Sequence, residues 1–362
     1  MTKLFTPLKV GAMFLAQRIA MAPMTRLRAS QTHVPLPSVK EHYKQRASAP
    51  GSLVITEATA ISPRHGGYAN IPGIYNQSQI DAWREVTNAV HAKGSYIFLQ
   101  LWALGRAANP QFLKQGGHQL VSCSDLPMKS ALSDDMHYPT PLTEDGIRGA
   151  ISDFAAAAKN AISAGFDGVE IHGANGYLVD QFIQDVSNKR TDSWGGSIEN
   201  RSRFAVEVTR AIVDAVGSER TAIRLSPWSK YQGMGMTDPV PQFSDLVRRL
   251  ADFKLAYLHA CESDARQSDG EEIKFLLDAY GDASPVIVAG NYDASLAKKA
   301  VDDDYAKHDI VVAFGRSYIS NPDLVFRAKN GTEFSPFDPK TMYGQSDEGY
   351  IDYPSAQEAK DA

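Results

Sequence analysis

A histidine, an asparagine and a tyrosine lie within six residues of one another, where a run of apolar and β-branched residues ends. They are His172, Asn175 and Tyr177, in the segment EIHGANGY. An imidazole and a carboxamide can both donate hydrogen bonds to one substrate oxygen and stabilise the negative charge that develops on it. A neighbouring phenol can then donate a proton. The structural alternative is that the histidine caps a strand, the asparagine forms a turn and the tyrosine packs.

Two further polar side chains interrupt apolar runs. Gln100 lies two residues before Trp102, so both side chains face the same side of a strand, and the Gln100 amide can pair with the edge of a pyrimidine-type ring. Arg224 lies within AIRLSP, where its charge needs an anion because an unpaired buried charge is strongly unfavourable. The alternatives are a satisfied core amide for Gln100 and an ion pair with a core carboxylate such as Glu170 for Arg224.

The chain that must position these groups alternates short apolar runs with amphipathic helical stretches, which is typical of βαβ units in an α/β protein. Eight such strands are predicted, at residues 19–24, 53–58, 96–102, 168–173, 221–227, 255–262, 285–290 and 310–315. Eight strand-then-helix units predict a closed (β/α)8 barrel, the TIM-barrel architecture. The rival is an open doubly wound sheet, but its glycine fingerprint does not follow the first strand.

Two connections are longer than a minimal barrel needs: residues 103–142 after the third strand and residues 174–199 after the fourth. Both connections begin at the carboxyl end of a strand, and the active sites of barrel enzymes lie at this end. We therefore expect capping insertions that roof a pocket. No linker or repeat is evident, and one domain spanning residues 1–362 is expected.

The last two strands end in glycines that could admit a phosphate group. Gly290 is followed by Asn291 and Gly315 by Arg316. Barrels commonly bind phosphate with the loops after strands seven and eight and a helix N-terminus, here expected near residue 321. Arg316 could make a bidentate contact.

Composition and missing motifs exclude several function classes. The 362 residues carry 37 Lys and Arg against 42 Asp and Glu, a net charge of −5, which disfavours nucleic acid. No run reaches the roughly 20 apolar residues of a membrane helix and no signal-peptide core is present, so a soluble cytoplasmic protein is expected. The two cysteines form no CxxC pair, and HExxH, G-x-S-x-G and Walker A motifs are missing. No metal site is predicted.

Long segments of the chain resemble the flavin-dependent old yellow enzymes, also called ene-reductases. The matching segments are 22–28 (APMTRLR), 55–57 (ITE), 62–68 (SPRHGGY), 99–106 (LQLWALGR), 172–178 (HGANGYL), 190–204 (RTDSWGGSIENRSRF), 315–324 (GRSYISNPDL) and 349–354 (GYIDYP). The loops at 229–235 and 261–272 differ from the family pattern. Because those loops shape the substrate pocket, the substrate is not predicted.

The resemblance implies noncovalent FMN on a (β/α)8 barrel. The residues it assigns to the flavin are Pro23, Met24, Thr25, Ala58, Gln100, Arg224, Gly290, Asn291, Gly315 and Arg316. It makes His172 and Asn175 the pair that holds the substrate oxygen and Tyr177 the proton donor. Trp102 and Tyr343 become pocket-lining residues.

The expected activity is an NADPH-dependent reduction, with NADH possible as donor. The resemblance implies that hydride passes from FMN N5 to the β-carbon of an α,β-unsaturated aldehyde or ketone, while Tyr177 protonates the α-carbon. A pathway-specific biosynthetic reductase or isomerase on the same scaffold, and a flavin-binding protein without turnover, stay open as alternatives. A Schiff-base lyase is disfavoured because no predicted strand contains a lysine. The expected partner is a small enone, and the protein is expected to be a monomer or homodimer.

Overall fold

Eight parallel strands form a closed barrel in the computed structural model, which describes residues 2–129, 135–262 and 273–356. The strands are β1 (Ile19–Met21), β2 (Leu53–Ile55), β3 (Tyr96–Trp102), β4 (Gly168–Gly173), β5 (Thr221–Leu225), β6 (Tyr257–Cys261), β7 (Val286–Ala289) and β8 (Ile310–Phe314). Each strand pairs in parallel with the next, and β8 pairs with β1. The predicted (β/α)8 barrel is confirmed. Several strands end before their predicted limits because the chain leaves the hydrogen-bonded ladder at the carboxyl end.

Helices follow most of the strands and cover the outside of the barrel. Within the described ranges they are α1 (Pro37–Arg46), α2 (Gln77–His91), α3 (Pro110–Gln115), α4 (Glu144–Ser163), α5 (Leu178–Ile183), α6 (Ile198–Val216), α7 (Val240–Ala251), α8 (Lys274–Tyr280), α9 (Ala294–Lys299), α10 (Arg316–Ser320) and α11 (Leu324–Asn330). A π-helical turn, Ala300–Asp304, continues α9.

Local sequence accounts for where the longer helices begin. The side chains of Asn76, Thr143 and Ser197 accept backbone N–H hydrogen bonds at the starts of α2, α4 and α6, satisfying donors that a helix start leaves free. Along α2, Trp83 and Val90 are among the buried positions. These apolar faces pack against the outer side of the strands.

The amino end of the barrel is closed by an N-terminal hairpin. Strands Leu8–Val10 and Met13–Leu15 pair antiparallel, and their buried side chains join an apolar cluster with Phe98 and Tyr257 inside the barrel. Period-two alternation turns every second residue of a strand inward. Among the described residues, this cluster fills the amino-end interior of the barrel, below the cavity described in the next subsection.

Both predicted insertions are present and pack against each other. The first carries α3 and two small strand pairs, one parallel between Val121–Ser122 and Thr140–Pro141 and one antiparallel between Met128–Lys129 and Met136–His137. Arg190 of the second insertion donates from Nη1 to the carbonyl oxygens of Cys123 and Leu142, at 2.9 and 2.8 Å. These bonds fix the second insertion onto the middle and the end of the first.

Candidate active site

A cavity of about 970 Å³ opens at the carboxyl ends of the strands. Eight residues singled out from the sequence line it: Pro23, Met24, Asn175, Arg224, Gly290, Asn291, Gly315 and Arg316. They come from β1, β4, β5, β7 and β8 and from the loops that follow these strands. The barrel thus brings together residues from both ends of the chain.

The sequence analysis named none of a second set of lining residues individually, although Lys230, Tyr231 and Glu262 lie in the loops 229–235 and 261–272 that it expected to shape the pocket. The set includes Ser226, Trp228, Lys230, Tyr231, Glu262, Tyr292 and the segment 334–337. Of the others, Ser226, Trp228 and Tyr292 follow the carboxyl ends of β5 and β7, and this position is the signal that could have identified them. Of the divergent loop 261–272, residues 263–272 lie outside the described residues.

His172 lies on β4, and Asn175 and Tyr177 follow directly after the end of this strand. His172 is buried and its ring centroid lies 4.8 Å from that of Tyr177. Trp102 from β3 lies edge-on to Tyr177 at 4.9 Å and stacks with His172 at 6.4 Å. Ala58 packs in the same apolar cluster as Trp102 and Tyr177. These four predicted residues therefore form one wall, next to Asn175 at the cavity surface.

Burial decides the protonation state of this wall. It lowers the pKa of His172 well below its ordinary value, and Arg224 and His259 lower it further. It also raises the pKa of Tyr177 well above the ordinary value of a phenol. At neutral pH the imidazole is uncharged and can donate one N–H, while the phenol keeps its proton.

The turn that carries Asn175 is held from several sides. Asn175 has a left-handed backbone with φ of 57°, its N–H donates to Ser226 Oγ at 2.8 Å, and its carbonyl oxygen accepts from Gln232 Nε2 at 3.0 Å. The next N–H, of Gly176, donates to Asp180 Oδ2 at 2.8 Å. The turn residues are thus fixed before any ligand arrives.

Arg224 does not form the ion pair with Glu170 that the sequence left open. The two carboxylate oxygens of Glu170 instead accept from Gln100 Nε2 and His259 Nδ1, each at 2.8 Å. Arg224 lines the cavity, and its buried Nε atom has no hydrogen-bond partner. A guanidinium in this position suits an anionic or carbonyl-bearing ligand.

The predicted phosphate corner is assembled by β7, β8 and α10. The exposed Arg316 donates from Nη2 to Asn291 Oδ1 at 2.5 Å. A side chain at Gly290 would approach Glu262 Cβ to 2.8 Å, so glycine is required there. Two helices follow β8: α10 starts at Arg316 directly after the strand and was not expected, and α11, which starts at Leu324, corresponds to the helix expected near residue 321.

The chain after α11 returns over the barrel mouth. Arg26, just beyond β1, donates to the carbonyl oxygens of Met342 and Gly349 at 2.9 and 2.8 Å. Between these anchors Tyr343 is 57% exposed. It lies close enough to Tyr177 to affect the pKa of that phenol. It is not among the lining residues of the cavity, and Thr25 at the end of β1 is half-buried outside that lining as well.

The parts of the chain that the structure describes also bear on metal binding and on membrane insertion. There, no group of three or more His, Cys, Asp and Glu side chains is arranged to hold a metal ion. None of the helices in these parts is long and apolar enough to cross a membrane. Both cysteines are buried free thiols.

A closed (β/α)8 barrel with these groups around its carboxyl-end cavity defines a flavin-dependent oxidoreductase. The chain belongs to the NADH:flavin oxidoreductase / NADH oxidase family, whose sequence model matches residues 3–334. Its fold matches the solved old yellow enzyme homologue from Zymomonas mobilis with a TM-score of 0.90 at 36% identity, over 97% of this chain and 99% of that one.

Curated relatives cover the whole chain. A chanoclavine-I aldehyde reductase of Penicillium roqueforti is 59% identical, over 100% of this chain and 99% of its own length. An NADP-dependent oxidoreductase of Aspergillus flavus is 51% identical over 100% and 98%. A protein of Epichloe festucae var. lolii described as a probable inactive reductase is 50% identical over 99% and 96%. This protein is thus an oxidoreductase of the old yellow enzyme type.

Proposed function

We propose that this protein, as one FMN-binding domain, uses NADPH to reduce the carbon–carbon double bond of an α,β-unsaturated aldehyde. The observation that carries the proposal is the wall of His172, Tyr177 and Trp102 beside Asn175 and a cavity lined by Arg224. A ketone substrate and NADH as donor are the secondary possibilities. The names of the aldehyde reductase and NADP-dependent relatives support the first choices.

The described residues fit FMN as the group held in the cavity. The unpartnered Nε of Arg224 suits the carbonyl and nitrogen edge of the ring, and the Arg316–Asn291 pair with Gly290 and Gly315 suits the phosphate. Pro23, Met24, Thr25, Ala58 and Gln100 are the further residues that we assign to ring contacts. When bound, FMN supplies hydride transfer between the nicotinamide and the alkene.

The side chains of the wall have separate tasks in this proposal. The N–H of neutral His172 and the amide of Asn175 hold the aldehyde oxygen and stabilise the negative charge that develops on it. Tyr177 keeps its proton until the α-carbon of the substrate requires one. Trp102 and Tyr343 bound the space in which the substrate lies.

A flavin-binding protein without turnover is the second candidate, because several relatives that are 46–50% identical are described as probable inactive reductases or dehydrogenases. The two candidates differ in one measurement. We expect purified protein to be yellow, to lose its absorbance near 450 nm when NADPH is added without oxygen, and to regain it rapidly when an unsaturated aldehyde is added. Bleaching without recovery, together with no saturated product, would favour the non-catalytic candidate.

A further inference from the structure

Gln100 and Glu170 occupy matched positions on neighbouring strands inside the barrel. They are register partners between β3 and β4, both are fully buried, and Gln100 Nε2 donates to Glu170 Oε1 at 2.8 Å. From β6, His259 Nδ1 lies 2.8 Å from the other carboxylate oxygen. Two strands therefore supply one donor each to Glu170, leaving its carboxylate held on both sides.

The charge of Glu170 fixes which way the amide of Gln100 faces. Burial alone would raise the pKa of Glu170, but His259, Arg224 and Gln100 together lower it below its ordinary value. An ionised carboxylate only accepts hydrogen bonds, so the nitrogen end of the Gln100 amide must face it. Burial lowers the pKa of His259, which is therefore neutral and donates through Nδ1.

The opposite end of the amide is consequently an acceptor. Among the described residues, none donates a hydrogen bond to Gln100 Oε1. An isolated glutamine could rotate its amide by about 180° and offer a donor instead, because the two orientations have the same shape. Glu170 removes that choice.

We propose that Glu170 is a positioning residue for ring recognition, which leaves the Gln100 carbonyl oxygen to accept from a ligand N–H. This inference rests on the proposed FMN site. The pyrimidine-type edge of a flavin carries one N–H, at N3, between two carbonyl groups. Glu170 therefore makes the site select a ring with a donor at this position.

The test compares two flavins on the apo-protein. FMN has the N3–H, whereas 3-methyl-FMN has a methyl group there and the same ribityl phosphate. Dissociation constants are measured by quenching of flavin fluorescence, and the ratio of the two constants is the selectivity. We expect the parent to prefer FMN clearly, and Glu170→Leu to reduce the selectivity roughly three- to tenfold, the range of one hydrogen bond.

A double-mutant cycle separates positioning from general damage. General weakening affects both flavins and cancels in the ratio. In a Gln100→Leu background, Glu170→Leu should change the selectivity no further, because the group through which Glu170 acts is gone. An equal change with and without Gln100 would overturn the proposal.

A measurement on the parent keeps the proposal testable if Glu170→Leu does not fold, since that variant also removes the partner of His259. FMN labelled with ¹⁵N at N3 should show an N3–H proton protected from solvent exchange in ¹⁵N-edited NMR. Exchange as fast as in free FMN would overturn the role of Glu170. If neither flavin binds at all, the FMN site itself is wrong, which is a different result from two flavins that bind equally.

Discussion

The upper interior of the barrel has two halves of opposite character. On β3 to β6 the inward positions carry long polar side chains, namely Gln100, Glu170, His172, Arg224 and His259. On β7 and β8, and directly after β1, the corresponding positions carry Ala289, Ala313 and Ala22, all of which line the cavity. One half supplies chemical groups and the other supplies space.

This difference shows how one barrel can hold a large flat ring against a fixed set of polar groups. Small side chains leave room that a close-packed interior would otherwise fill. The polar half is held by its own hydrogen bonds, such as those of Glu170 to Gln100 and His259. Groups that are oriented before binding need little reorganisation when charge develops on a substrate.

The largest effect is expected at Tyr177, the proposed proton donor beside the polar half. Tyr177→Phe removes the phenolic proton and keeps the ring that packs on Trp102. A positioned general acid is typically worth about 10²–10⁴ in rate. In stopped-flow experiments we expect near-parental flavin reduction by NADPH and oxidation by 2-cyclohexenone slowed by that factor.

The matched control is Tyr138→Phe, since Tyr138 is a highly exposed tyrosine in the first insertion. It should leave both half-reactions unchanged. Parental cyclohexenone reduction by Tyr177→Phe would mean that water or another residue supplies the proton. Loss of flavin reduction would instead assign the tyrosine to the nicotinamide site.

A smaller effect, on FMN affinity, is expected when a larger side chain fills space in the alanine-lined half of the barrel. Ala313→Leu places a larger side chain in the cavity, and overpacking typically destabilises a fitted arrangement by about 1–3 kcal/mol. We expect the dissociation constant of FMN to rise roughly ten- to a hundredfold, because about 1.4 kcal/mol corresponds to a factor of ten. Fluorescence titration of the apo-protein measures this change.

The control for that substitution is Ala92→Leu, at an exposed position after α2. The melting temperature of the apo-protein is measured for both variants, because Ala313 is 3% exposed and packs in the apolar barrel cluster, and a general loss of stability must be separated from a loss of FMN affinity. Unchanged FMN affinity in Ala313→Leu would mean that the ring does not use the small-residue half.

The smallest effect is expected at the phosphate corner, where contacts are exposed. Arg316→Ala removes one cation and its bond to Asn291, and we expect FMN to bind about tenfold more weakly, as for one charge-assisted hydrogen bond. Riboflavin lacks the phosphate, so its affinity should not change. Arg148→Ala, at an exposed arginine on α4, serves as the control. An equal loss of affinity for riboflavin would mean that Arg316 does not bind the phosphate group.

Much of the fold could be predicted because strand and helix patterns are local. The alternation of apolar runs and amphipathic helices predicted all eight barrel strands, and the start of α4 is likewise set locally, by the side chain of Thr143. The positions of the two long connections followed from the number of residues between consecutive predicted elements. The exact ends of the strands could not be predicted, because the residue at which a strand leaves the hydrogen-bonded ladder depends on the neighbouring strand.

The sequence by itself determined the residue types available for chemistry, the barrel and the resemblance to a flavin family. Only the tertiary structure decided that Glu170 pairs with Gln100 and His259 rather than with Arg224, that Gln232 holds the carbonyl of Asn175, and that Arg26 anchors the late segment around Tyr343. These contacts join positions 57 to 316 residues apart in the chain. Periodicity reports which face a side chain occupies on its own element, but the partner across the barrel is set by strand register and loop path.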